Sequence, residues 1–430
     1  MSFVFTLWSS CSITTYIMSY LKRAENILQQ INELASISDD AFCISRSYGT
    51  KAFIEGRNKV QQWMNEAGLQ TRIDTIGNIR GKLLSSNPSA KTLVIASHID
   101  TVINAGKFDG PLGVLMGLEL LRGLIESKKE LPFHIELIGF CDEEGVRFHT
   151  TYLGSKAIVG SFDKNVLTKK DSDGISIEDV INQMGGNAMR LDDDRIEKDN
   201  WLGYFEIHIE QGPVLYEKNI PVGIVTAIAG QRRAEIIFKG VAGHAGTVPM
   251  DMRNDALCCA AKFIVKLEKF AKRHEGDIVA TVGRLNVVNA ASNVIPGEVI
   301  CSLDLRSADN IILSGSYQKI KLFHEAIAKK RGIETQWNLV QETIPTICDS
   351  SMNELLATAI KESGHEVIEL VSGAGHDAVP IAAVSPVAML FVRCFKGISH
   401  NPLEDVDLKD ISAAIEVSSN FIHLMEHKGH

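Results

Sequence analysis

The most constraining feature of this 430-residue chain is a strand–helix–strand pattern. "TLVIAS" (92–97) and "FHIELIGF" (133–140) are short, nearly continuous apolar runs, as strands covered on both faces require. Between them, "GVLMGLELLRGLIESKK" (113–129) has the length and spacing of a helix. Two strands joined by a crossover helix belong to an α/β layer with a largely parallel sheet. Ligands of such sheets sit beyond the carboxyl ends of the strands. Both runs turn polar there, into "SHID" and "CDEEG".

The rest of the chain has two textures. Residues 19–35 and 50–67 carry helical spacing, and "TRIDTIGNIRGKLL" (71–84) reads as one alternating strand. Residues 161–200 are polar, irregular and helical in part, and "YFEIHIEQG" (204–212) alternates as a strand. After Pro213, "PVGIVTAIAG", "RRAEIIFKG", "DIVATVGRLNVV" and "EVICSLDLRS" read as antiparallel strands, with helices at 253–273 and 316–331 among them. This predicts an α+β block at 214–329 inserted into an α/β domain made of 1–213 and 330–430. Two domains also suit the length, which exceeds one ordinary core.

Composition excludes some functions. The formal charge is -9 without a basic cluster, so the electrostatic footprint of a nucleic-acid binder is absent. The apolar start, "MSFVFTLWSSCSITTYIMSYLKR", is interrupted by Ser and Thr and lacks a basic lead, so neither a spanning helix nor a signal peptide is expected. A start at Met18 is an alternative. The eight cysteines form no C-x-x-C pair, which predicts free thiols and a cytoplasmic protein.

Nine polar groups fall at or near the ends of the expected strands: His98, Asp100, Asp109, Asp142, Glu143, Glu144, His208, Glu210 and His400. Imidazole with carboxylate suits zinc, manganese or a similar divalent ion. A carboxylate bridging two ions gives the arrangement that polarises a carbonyl and activates water, and a neighbouring glutamate can move protons. Taken singly, each has a plainer reading. A strand-end histidine is commonly a capped or surface residue, "DEE" a solvated turn, and Asp109-Gly110-Pro111 a turn before a helix. Their recurrence at one end of successive strands favours a site. H-E-x-x-H, G-x-S-x-G, Walker A and G-x-G-x-x-G motifs are absent.

These residues lie in segments that resemble the amidohydrolase branch of the M20 dinuclear metallopeptidases: allantoate amidohydrolases, N-carbamoyl-L-amino-acid hydrolases and related β-ureidopropionases. The matching words are "SHIDTVINAGKFDGPLGV", "DEEGVRF", "YFEIHIEQGPVL", "AGHAGTVPM", "NVIPGEV", "LDLR", "SGAGHDA" and "ISHNP". They run in family order over roughly 20–420. The resemblance implies a Zn-peptidase-like α/β catalytic domain with an inserted lid that also dimerises the protein. It implies two divalent ions, zinc or manganese: His98 and His208 on the first, Glu144 and His400 on the second, Asp109 bridging. It makes Glu143 the general base and gives Asp100 the task of orienting His98 through its carboxylate.

On the substrate side, the resemblance makes His244 an oxyanion donor reaching the partner subunit's site. Asn293 and Arg306 would bind substrate, Arg306 gripping a carboxylate through two parallel hydrogen bonds. Gln211 would face the carbamoyl or ureido group, which separates this branch from its peptidase relatives. The backbone of Gly373 and Ala374 could hold the same carboxylate, and His376 would line the site. The expected partners are thus a small ureido or carbamoyl acid and a second copy of the chain, with no nucleic acid and no membrane. The implied reaction is hydrolysis of a carbamoyl C–N bond, with the carbamate decomposing to carbon dioxide and ammonia. The wording of the motifs is closest to allantoate amidohydrolases, which leave ureidoglycine. N-Carbamoyl-L-amino-acid hydrolase is the alternative and β-ureidopropionase comes third. An aminoacylase or dipeptidase, and a catalytically silent binder of ureido compounds, are the readings from further away.

Overall fold

The computed structural model describes residues 8–426, with side chains from Tyr20 onward. The apolar start and Met18 lie outside the described side chains. The chain divides into two compact units, one of Met1–Thr226 with Cys348–His430 and one of Ala227–Ile347.

The first unit is built on a mixed sheet. Its strands include β1 (Gln70–Ile73), β2 (Ile79–Leu83), β3 (Thr92–His98), β4 (His134–Phe140), β5 (Trp201–Ile209) and β6 (Val222–Ile228). They lie in the order β1-β2-β4-β3-β5, then Val387–Val392, then β6. Pairing is parallel from β4 through β3 and β5 to Val387–Val392, and antiparallel at both flanks. Every residue of β3 and β4 is buried, which is why their sequences are apolar on both faces. The crossover helix Pro111–Glu126 opens with Pro at its first position and buries Pro111–Leu121 without a break. The core draws Ile27, Ile31, Leu115, Ile135, Phe205 and Phe421 into one cluster.

Register brings the polar strand ends together. His98 pairs with Phe140, the last residue of β4, and His208 with Phe391. The loops after β3, β4, β5 and Val387–Val392 therefore leave the same edge of the sheet.

The expected single strand at 71–84 is a hairpin, β1 and β2 pairing antiparallel. Asp74 makes the turn: its carboxylate accepts the N–H groups of Gly77 and Asn78, and Gly77 sits at φ 112, open to glycine alone.

The second unit carries a sheet in the order Leu285–Val287, Glu298–Ser307, Gly230–Lys239, Glu334–Thr343, with Val279–Thr281 also on Glu298–Ser307. Helices Ala256–Lys272 and Asn310–Lys330 supply Phe263 and Ile320 to a core with Phe238 and Leu303. This unit overlaps most of the expected block at 214–329. The differences are at its ends. β6 pairs with Val387–Val392 of the first sheet, and Glu334–Thr343 pairs with Gly230–Lys239. An antiparallel strand at the flank of a mostly parallel sheet has the same local pattern as a strand of the inserted block.

Candidate metal centre

The loop after β3 delivers the first groups. His98 ends the strand, and Asp109 sits at the turn into the crossover helix. Gly110 follows at φ 83, and a Cβ there would overlap the His98 ring. Only glycine lets the imidazole lie over this turn.

Two donor sets share Asp109. His98 Nε2 and His208 Nε2 lie 3.6 and 3.2 Å from Asp109 Oδ1. His400 Nε2 lies 3.1 Å from Asp109 Oδ2 and 3.3 Å from Glu144 Oε1. Ligand atoms about 2.1 Å from one tetrahedral cation stand roughly 3.4 Å apart, which matches all four separations. His98, Asp109 and His208 form one group of possible ligands and Asp109, Glu144 and His400 another; Glu143 joins His98 and Glu144 in a third.

Ring tautomers fit the same use. His98 Nδ1 lies 3.0 Å from the carbonyl oxygen of Asp100, and His208 Nδ1 lies 3.0 Å from that of Ile209. A carbonyl only accepts, so each Nδ1 carries the proton and each Nε2 is turned toward Asp109. The donor chemistry, three imidazoles and two carboxylates, fits a pair of divalent cations.

Electrostatics agree. Burial would raise the Asp109 pKa, but hydrogen bonds with His208, His400 and His98 hold it well below the usual carboxylate range. Asp109 and Glu144 raise His400 to about 10. Burial pushes the Glu143 carboxyl well above its ordinary value; Glu144, Asp377 and Asp100 add to this, and His98 opposes it. Glu143 is therefore a carboxyl that readily takes a proton.

Asp100 acts through two groups. Its backbone carbonyl holds the His98 ring, while its carboxylate, 3.7 Å from Nδ1, accepts the N–H groups of Glu143 and Glu144 at 3.1 and 3.2 Å. The carboxylate assigned to the ring in the sequence reading mainly fixes the loop after β4. Asp142 in that loop is at φ 53, Gln211 at φ 56 and His400 at φ 53. Each left-handed non-glycine residue costs roughly 1–2 kcal/mol, and such strain concentrates at functional sites.

Gln211 Nε2 donates to Asp109 Oδ2 at 2.8 Å, and its buried Oε1 has no hydrogen-bond partner among the described residues. Buried His376 packs its ring edge-on to His208 at 4.6 Å and meets Ser372 Oγ at 2.7 Å. Burial, then the His208 charge, hold it well below its ordinary pKa. Ser372 Oγ also donates to the carbonyl of Ala374, so one hydroxyl ties both ends of the Gly373–Ala374 loop. Glu210 takes no part: its carboxylate caps Val214 and Leu215.

His244, Asn293 and Arg306 lie in the second unit. His244 pairs in register with Val294, and the N–H of Ala245 donates to the Asn293 carbonyl, so these two are neighbours. Arg306 donates through Nε and Nη2 to Asp304, 2.8 Å each.

Several further polar groups stand outside the expected set. Glu206 is buried on β5 and accepts from Tyr204 Oη and the N–H of Ala378. Its spacing of two from His208 was a usable signal. Tyr152 sets its hydroxyl where a Cβ on Gly375 would go. Ser399 and Glu404 contact Asp109 or its backbone.

A match to the family described as Peptidase family M20/M25/M40 spans residues 94–424. The chain is 36% identical to allantoate deiminase 2 of Glycine max over 93% of its length and 89% of that protein. It is equally 36% identical to an N-carbamoyl-L-amino acid amidohydrolase of Geobacillus stearothermophilus, over 92% and 97%. A crystal structure of an amidase of the hydantoinase/carbamoylase family from Burkholderia multivorans superposes with a TM-score of 0.87 at 32% identity, over 93% and 97% of the two chains.

Proposed function

The chain belongs to the M20/M25/M40 peptidase family, and we propose that it hydrolyses the ureido C–N bond of allantoate to ureidoglycine, carbon dioxide and ammonia. It is a hydrolase of C–N bonds, as the relatives named above are. The observation that carries the reading is Asp109 facing His98 and His208 with one oxygen and His400 with the other.

In this reading His98, Asp109 and His208 hold one divalent cation, and Asp109, Glu144 and His400 a second. Zinc or manganese there supplies Lewis-acid polarisation of the scissile carbonyl and acidifies the attacking water. Glu143 takes the proton from that water and hands it to the leaving nitrogen, a use that its raised pKa supports. Asp100 keeps Glu143 and Glu144 in place through their backbone N–H groups. Gln211 offers Oε1 to a ureido N–H, which would satisfy a buried acceptor that has no partner among the described residues.

Arg306 and Asn293 are proposed to bind the substrate carboxylate, and the Gly373 and Ala374 backbone and His376 to contact substrate. His244 stabilises the oxyanion of the partner subunit's site within a homodimer. Near His244 in the chain, Val241, Met250 and Met252 are 61, 77 and 72% exposed, apolar side chains that burial against a second copy would cover. A cytoplasmic location goes with the seven described cysteines, all free. Among the described residues no helix is long and apolar enough to cross a membrane.

A second reading, hydrolysis of N-carbamoyl-L-amino acids, is favoured by the equal identity to the Geobacillus enzyme. Ammonia release from allantoate by protein stripped of metal and reloaded with manganese or zinc tests the proposal. Absence of ammonia with both cations would overturn it.

A further inference from the structure

Behind Asp109 lies an acid that no step above uses. Glu404 is 3% exposed and reaches Asp109 from a loop near the chain's end. Its Oε1 accepts the backbone N–H groups of Phe108 at 2.7 Å and Asp109 at 3.1 Å. Ser399 Oγ lies 3.0 Å from Glu404 Oε2 and 2.7 Å from Asp109 Oδ2. Gln211 Nε2 closes the network, 3.2 Å from Ser399 Oγ. A Cβ on Gly106 would overlap the Glu404 carboxyl, so the loop before Asp109 is moulded around this side chain.

Two features separate this from ordinary packing. No Lys or Arg among the described residues forms an ion pair with Glu404, whose hydrogen-bond partners are the two backbone amides and Ser399. A buried carboxyl without a cationic partner must be satisfied by hydrogen bonds, and those of Glu404 all lead to Asp109 or to the loop that carries it. The network also ties both Asp109 oxygens' settings together: the amides fix the backbone that aims Oδ1 at His98 and His208, and Ser399 holds Oδ2 beside His400.

We propose that Glu404 is a positioning residue for Asp109: clamping the Phe108–Asp109 backbone and Ser399, it sets the affinity of the centre for its divalent cations. The inference rests on the two-cation reading of that centre. Groups that orient metal ligands in this way typically change metal affinity about 10–100-fold when removed.

The test is calorimetric titration of manganese into chelator-stripped full-length protein, with the melting temperature in chelator as a folding control. Wild type should take up two equivalents. Glu404→Ala should bind about 10–100-fold more weakly while turnover returns toward wild type at saturating manganese. Glu404→Gln keeps an oxygen for both amides and should lose less than the roughly 10-fold that marks the low end of that range. Gly106→Ala retains the carboxyl but displaces it, and should weaken binding as Glu404→Ala does. If Glu404→Ala does not fold in chelator, Ser399→Ala decides: several-fold weaker binding supports the proposal and unchanged binding overturns it. A folded Glu404→Ala protein with wild-type affinity also overturns it. Wild type binding no manganese would instead remove the two-cation reading itself.

Discussion

His208 presents Nε2 to Asp109 Oδ1 at 3.2 Å while its Nδ1 is held by the carbonyl of Ile209. One side of the ring is fixed, so the other side meets Asp109 through either a proton or a cation. Burial opposes a charged imidazole here, yet Asp109 raises His208 above its ordinary pKa, and His400 is raised to about 10.

The two positive species must therefore compete. His400, raised to about 10, holds its proton at neutral pH in stripped protein, and a cation can bind there only as that proton leaves. Apparent affinity should rise with pH through the neutral range and up to about 10, where His400 loses its own proton. Calorimetry of manganese binding at pH 7 in two buffers of different ionisation enthalpy should report net proton release. Zero release would contradict the assignment of these imidazoles as ligands.

Glu143 touches the centre without bridging it. Glu143→Gln keeps the volume and removes the proton acceptor, so turnover should fall about 10²–10⁴-fold. Manganese stoichiometry and substrate affinity should hold. A variant with near-normal kcat would remove Glu143 from the role of base.

Arg306 is paired with Asp304 within its own unit, and Asp304 also accepts from Arg233 Nε at 3.0 Å and Gln231 Nε2 at 3.1 Å. Arg306→Ala thus leaves Asp304 partnered, and the melting temperature should change little. If Arg306 binds the substrate carboxylate, KM should rise about 10–100-fold, the equivalent of a lost charged hydrogen bond, with a smaller effect on kcat. An unchanged KM would end that role.

His324 is 1% exposed in the core of the second unit, and neither ring nitrogen has a hydrogen-bond partner among the described residues. The rings of Trp337, Phe238 and Phe263 surround it at 5.0, 5.3 and 5.5 Å. Burial, with Lys321 adding to it, lowers its pKa to about 4. The unfolded chain takes a proton near pH 6.5 and the folded one does not. Stability is therefore unaffected above about 6.5 and falls as pH drops toward 4, by on the order of 3 kcal/mol. Thermal melts from pH 8 to 5 should show this decline, and His324→Phe should reduce it. An identical decline in His324→Phe would contradict it.

Much of the centre is legible in the sequence because its donors sit at strand ends, where apolar runs stop abruptly. "TLVIAS" and "FHIELIGF" announce β3 and β4 since both faces of each strand are buried. The hairpin at Asp74 is concealed by alternation that continues across the turn. Asp100 uses its carbonyl as well as its carboxylate, and no residue identity reveals a backbone contact. Glu404 is less legible still: it stands in an ordinary-looking loop, 296 residues from the Phe108 amide it holds. The pairing of β5 with Val387–Val392 helps to close that distance.

The proposed enzyme is a two-cation amidohydrolase with allantoate as its substrate. Initial rates of ammonia release from allantoate and from N-carbamoyl-L-amino acids, measured side by side on manganese- and zinc-loaded protein, test it most directly. Allantoate should give the higher kcat/KM, lost in Glu143→Gln. A higher value for the carbamoyl amino acids would contradict the substrate, and no ammonia from either would contradict the reaction.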